Sequence, residues 1–145
     1  MVVAALADSP VAALESLDDP GVTVAIGNPN VPVGAYARDA LSLVGDAFAI
    51  RAMENVVTNE GDARGIVGKL NLGVVDAGIL YRTDVRLIDR PVRTIPFAPE
   101  DQPGVLYAAA VVTDPPAGAG AREFLEELTG DPGARALAAY GFSSP

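Results

Sequence analysis

The sequence predicts an α/β fold with mostly parallel strand pairing. Two observations carry this. Short apolar runs rich in Val and Ile alternate along the chain with segments whose apolar residues recur at helical spacing. Two glycine-flanked loops, Asn28–Gly34 and Gly61–Ala63, stand where a run of the first kind gives way to one of the second. In open α/β sheets such strand-to-helix loops lie beyond the carboxyl ends of the strands, where ligands bind.

Taken in order, residues 2–6 read as a strand. The apolar opening Met1–Ala7 lacks a basic leader and is too short for a signal sequence's hydrophobic core. Ser9-Pro10 starts a short helix from Val11 to Leu17, and Asp18-Asp19-Pro20-Gly21 is a turn. Val22–Ile26 is a buried strand, β-branched and uncharged. The loop that follows opens a helix whose residues 37, 40, 41 and 44 form an apolar stripe. Its first turn holds no acidic side chain, so its orphan N–H groups and the positive end of the helix dipole are available to an anion.

Gly45-Asp46 ends that helix. Phe48–Met53 reads as a weak strand and Glu54–Asn59 as a loop. Asp62 is placed to cap a helix with Ala63, Ile66, Val67 and Leu70 on one face, ended by Gly73. Val74–Tyr81 is the next strand, and Arg86–Pro96 alternates into another. Val105–Val112 is a long apolar strand, and Asp114-Pro115-Pro116 with residues 117–120 is a loop. Two helical segments, Ala121–Leu128 and Pro132–Ala139, flank Gly130-Asp131, where Asp131 is expected to cap. Phe142 is expected to pack as a C-terminal anchor.

Composition excludes several classes. The chain has 145 residues, no Cys and no His, which removes thiolate nucleophiles, disulfides, ordinary zinc sites and a Ser-His-Asp triad. The formal net charge of −9 argues against non-specific binding of nucleic acid or an anionic membrane. No run of 18 apolar residues spans a bilayer. Glu54 and Glu60 share a loop, but nothing fixes them in one cleft as a carboxylate pair. Gly118-Ala119-Gly120 follows a proline-rich turn and lacks the third glycine of a nucleotide fingerprint. An enzyme is therefore not expected.

Four stretches together point further: Ile26-Gly27-Asn28-Pro29 with Val31–Arg38, Val56-Val57-Thr58-Asn59-Glu60, Asp76–Tyr81 with Thr83-Asp84, and Tyr140-Gly141-Phe142. In this order and spacing they resemble the molybdate-binding substrate receptors of ABC transporters, of the type II periplasmic binding fold. The resemblance runs over nearly the whole chain from Val2. It implies one complete three-layer α/β lobe plus part of a second lobe. Residues 21–103 would form the second lobe with its hinge strands, and residues 1–20 and 104–145 the remainder of the first. It implies an N-terminally truncated member, with the family's signal peptide and two hydroxyl ligands lying outside these residues.

Carried over by position, the oxyanion wall implied here is Val33 and Ala63, both through backbone N–H, and Tyr81 through its phenol. These residues would hold the molybdenum or tungsten centre only through its oxygens. Relatives often carry Val where this chain has Ala63, a change that a backbone donor tolerates. They carry Tyr-Pro where it has Tyr107-Ala108. The implied function is binding of a tetrahedral oxyanion, molybdate or tungstate, for an ABC importer, impaired by the truncation. The alternative is a cytoplasmic oxyanion-sensing domain of a transcriptional regulator. The implied partners are the oxyanion and a transporter permease, with no cofactor, no nucleic acid, no membrane insertion and a monomeric state. The implied location is periplasmic or extracytoplasmic. Arg38 and Arg64 follow the two donor loops, and their plain reading is a solvated helix face.

Overall fold

The structure, a computed structural model, describes residues 1–112 and 118–143. They form two units, Met1–Gly104 and Val105–Pro145.

In the first unit, five strands make one sheet: β1 (Val2–Leu6), β2 (Val24–Gly27), β3 (Val56–Glu60), β4 (Ala77–Leu80) and β5 (Val92–Pro96), in the order β3-β2-β4-β1-β5. β2 pairs in parallel with both β3 and β4, whereas β1 runs antiparallel to both β4 and β5. Pairing is thus half parallel rather than mostly so, because β1 is inserted against the run of the others.

Side-chain alternation divides the core into two clusters. Val3, Ala5, Val24, Ile26, Ala77 and Ile79 face α1 (Pro32–Val44) and α2 (Asp46–Glu54), meeting Ala37, Ala40, Leu41 and Ala52. Ala4, Leu6, Ala25 and Leu80 face α3 (Ala63–Leu72), meeting Ile66, Val67 and Leu70. The result is a three-layer lobe. Each large side chain buried here, Ile26, Ile66 and Leu80 among them, contributes about 1.5–3 kcal/mol by leaving water. Beyond the strand N-termini, Thr23 and Asp76 clamp β2 to β4. The Thr23 N–H and hydroxyl donate to Asp76 Oδ2 at 2.8 and 2.7 Å, and the Asp76 N–H donates back to the Thr23 hydroxyl oxygen.

Several expectations change. Residues 46–54 form helix α2, not a strand: Val44, Phe48, Ala49, Ala52 and Met53 all pack on one cluster, which is helical spacing. Val56–Glu60 is an edge strand, not a loop, its exposure alternating along its length. The expected helix over Val11–Leu17 reduces to a 3-10 turn at Glu15–Asp18. The expected strand over Arg86–Pro96 divides into a 3-10 helix, Arg82–Leu87, and β5. Residues 1–20 lie in the first unit, where β1 is hydrogen-bonded on both edges inside its sheet. The first unit ends at Gly104.

The second unit holds α4 (Gly118–Thr129) and α5 (Asp131–Ala139). Gly120 lies inside α4, and the part of the expected loop at 113–117 lies outside the described residues. Gly130, not Asp131, is the N-cap of α5, with Asp131 in its first turn. Residues 105–112 enter no strand ladder among the described residues, although their apolar composition suits one: a strand exists only when a neighbour supplies the other half of its hydrogen bonds. Phe142 meets Tyr107 edge-on, ring centroids 5.6 Å apart. No described helix is long and apolar enough to cross a membrane.

Candidate oxyanion site

β2, β3 and β4 are adjacent and parallel, so their carboxyl ends share one edge of the sheet. Val33, Ala63 and Tyr81 each stand just beyond one of these ends. Val33 is in the first turn of α1, Ala63 opens α3, and Tyr81 directly follows β4.

All three pack on one apolar cluster, which contains Val33 itself and is flanked by Ala63 and Tyr81. The rest of α1 packs on the other face of the sheet through Ala37, Ala40 and Leu41. The first turn of α1 therefore reaches across the strand ends to the α3 side.

Local sequence explains that reach. Gly27 and Gly34 bring the end of β2 against the first turn of α1. A Cβ on Gly27 would lie 2.6 Å from the Gly34 nitrogen, and one on Gly34 would collide with the carbonyl oxygens of Gly27 and Asn28. Asn28 turns the chain by accepting the Asn30 N–H at 3.0 Å, and Pro32 supplies a preset φ at the first helical position.

The donors follow from the caps. Val31, the N-cap of α1, makes no side-chain cap bond, and the first turn has no acid. The N–H groups of Gly34 and Ala35 both bond the Val31 carbonyl, while Val33 N–H has no acceptor among the described residues. Val33 as a whole, main chain included, is 3% exposed. In α3, Asp62 caps as expected, its Oδ1 accepting the Gly65 N–H at 2.8 Å. Ala63 and Arg64 N–H have no acceptor among the described residues. Tyr81 stands against α1 through Tyr36, edge to face at 6.5 Å.

Two charged groups stand beside these residues. Arg38 is no solvated face. Its Nη1 donates to the carbonyls of Gly27 and Gly34, both at 2.8 Å, and its Nη2 to Asn59 Oδ1 at 2.7 Å. Burial pushes its pKa down. Its place one helical turn after Gly34 was the available signal. Asp84 lies in the 3-10 helix after Tyr81, its N–H donating to the Tyr81 carbonyl at 3.0 Å. Burial raises its carboxyl above the usual range; Arg64 opposes this and Asp62 adds to it. Among the described residues no group of acidic side chains is arranged to hold a metal cation.

This sheet, with helix starts gathered over its parallel strand ends, has the type II periplasmic-binding fold of the solved structures on which it superposes. The chain belongs to the bacterial extracellular solute-binding protein family, whose profile matches residues 1–143. A Bacillus subtilis protein named as a substrate-binding lipoprotein of an ABC transporter is 30% identical over 146 residues, 99% of this chain and 54% of its own length. The molybdate-binding protein ModA of Mycobacterium tuberculosis is 30% identical over 147 residues, all of this chain and 54% of its own. A Clostridium difficile structure described as the substrate-binding domain of a molybdenum ABC transporter superposes with a TM-score of 0.83 at 21% identity, covering 99% of this chain and 62% of that one. The chain thus spans about half the length of the curated relatives it matches.

Proposed function

We propose that this chain carries one wall of a receptor site for a tetrahedral oxyanion, molybdate or tungstate, serving an ABC importer. The donors are the main-chain N–H groups of Val33 and Ala63 and the phenol O–H of Tyr81. One observation supports this above the rest: two helix starts with unsatisfied N–H groups and one tyrosine gather on a single apolar cluster beyond three parallel strand ends. Neutral donors suit a fully ionised ligand. They stabilise it without a counter-charge and select by size and oxygen geometry.

Because the relatives named above are transport proteins, a receptor is favoured over a regulator's sensing domain. A permease partner and an extracytoplasmic location belong to the same proposal. The reading needs no cofactor and no reaction.

Magnitudes set the expected affinity. A hydrogen bond to a charged acceptor contributes about 1.5–3 kcal/mol net. Three such bonds give roughly 4–9 kcal/mol, against association costs of about 4 kcal/mol or more. The 145-residue chain should therefore bind molybdate more weakly than micromolar.

Titration of the 15N-labelled chain with sodium molybdate tests this. The amides of Val33 and Ala63 should shift first and furthest, in the millimolar range. Shifts absent there, or concentrated elsewhere, would refute the proposal. Submicromolar affinity by calorimetry would refute the three-donor account.

A further inference from the structure

We propose that Arg38 is the positioning residue that holds the Val33 and Ala63 donors at one fixed spacing. The inference rests on the oxyanion reading above and deepens it. One guanidinium bonds three separate segments: the last residue of β2 through Gly27 O, the first turn of α1 through Gly34 O, and the carboxyl end of β3 through Asn59 Oδ1. Val33 adjoins Gly34, and Ala63 lies four residues beyond Asn59. The three bonds therefore tie together the two loops from which the main-chain donors project.

Two features single Arg38 out. First, its acceptors are two carbonyls and an amide oxygen. None of the ion pairs recorded among the described residues involves it. Its hydrogen bonds thus go to neutral segment ends that it joins, not to a carboxylate that would pair its charge. Second, β3 is an edge strand held to the sheet by β2 alone. The Asn28 N–H already ties the two loops at their roots by donating to the Glu60 carbonyl at 2.7 Å; Arg38 extends that tie to the first turn of α1 through Gly34. A planar fork can bind diverging acceptors in fixed directions, which a lysine ammonium cannot.

The molecule contains its own control. Arg93 is anchored comparably, its Nη1 donating to Ala7 O and its Nη2 to Ser9 O at 2.9 Å and to Val11 O at 3.0 Å. It sits at the opposite edge of the sheet: β1 pairs Val2 with Leu80 at the site edge, and Leu6 with Val92 at the other.

The test is a molybdate titration of the 15N-labelled chain and of three variants, Arg38→Lys, Asn59→Ala and Arg93→Lys, with melting temperatures alongside. In the parent, Val33 and Ala63 should titrate with one shared midpoint. Arg38→Lys should raise the apparent Kd tenfold or more and separate the two midpoints, because each helix start then meets an oxyanion as its own weak site. Asn59→Ala, which removes only one arm, should show the same separation with a smaller loss, about threefold. Arg93→Lys should lower the melting temperature but leave Kd within twofold. The proposal is overturned if Arg38→Lys and Asn59→Ala both keep a shared midpoint and a Kd within twofold of the parent. It is equally overturned if Arg93→Lys weakens binding as much as Arg38→Lys. A parent chain with no response at Val33 and Ala63 removes the oxyanion reading itself, and this inference with it.

Discussion

Gly27→Ala adds a single methyl at the point where β2 meets α1, and its consequence can be worked from distances. The new Cβ would stand 2.6 Å from the Gly34 nitrogen, 2.9 Å from the Gly34 Cα and 2.7 Å from Val33 Cγ1. Ordinary carbon contacts begin at about 3.5 Å, so the first turn of α1 must retreat by roughly 0.8 Å. Two of the three obstacles are backbone, so no rotamer change relieves them. Overpacking of this kind costs about 1–3 kcal/mol, a fall in melting temperature of roughly 4–12 °C for a chain of this size. The retreat also carries Val33 N–H away from Ala63, so molybdate affinity should fall about tenfold, the weight of one charge-assisted bond. Thermal unfolding followed by circular dichroism, with an NMR titration, measures both. Gly68→Ala is the counter-test. Nothing lies within 4 Å of its Cβ and it sits inside α3, so the same chemical change should stabilise by about 0.5–1 kcal/mol. If Gly27→Ala melts within about a degree of the parent, or melts lower while binding molybdate unchanged, the argument that this close approach sets the donor position is refuted.

Three further outcomes are expected. Tyr81→Phe should keep the fold and weaken molybdate binding by about tenfold or more, read by the same titration; unchanged affinity removes the phenol from the site. Asp62→Ala deprives the Gly65 N–H of its acceptor and should destabilise by about 0.5–2 kcal/mol in urea unfolding. Asp84→Asn should change the pH dependence of stability. The folded state raises the Asp84 carboxyl, so ionising it opposes folding. That penalty is absent below the unfolded-state pKa, grows as pH rises towards the folded-state pKa and is complete above it. The variant should therefore gain stability over the parent at pH 7 and lose that advantage as the medium is acidified. A difference that does not vary with pH would show that the carboxyl is not perturbed.

The residues that local chemistry alone governs were legible from the chain. Val2–Leu6 forms a strand with those limits, Asp62 caps α3, and Gly73 ends it at φ +67°. The first turn of α1 follows from Pro32 and the absence of an acid. Each depends on neighbours a few residues away, whereas Val33, Ala63 and Tyr81 were singled out by the family resemblance. Phe48–Met53 reads as a strand because Phe48 and Ile50 suit either a strand or a helix, and Glu54–Asn59 reads as a loop because Glu54, Asn55, Thr58 and Asn59 are polar. Packing against Leu41 and the edge of β2 decided both.

Strand order could not be read locally either. β1 lies between β4 and β5 through pairings that span 72 to 94 residues, and hydrophobic pattern does not encode partner or direction. Arg38 is the clearest case. The chain shows a basic residue on a helix, whose ordinary place is in water. Only the meeting of three segment ends, two of them consecutive strands of the sheet, gives its guanidinium three acceptors. Capping and turn chemistry are written within a few residues; the spacing between donors on separate loops is set by the packed sheet that holds those loops side by side.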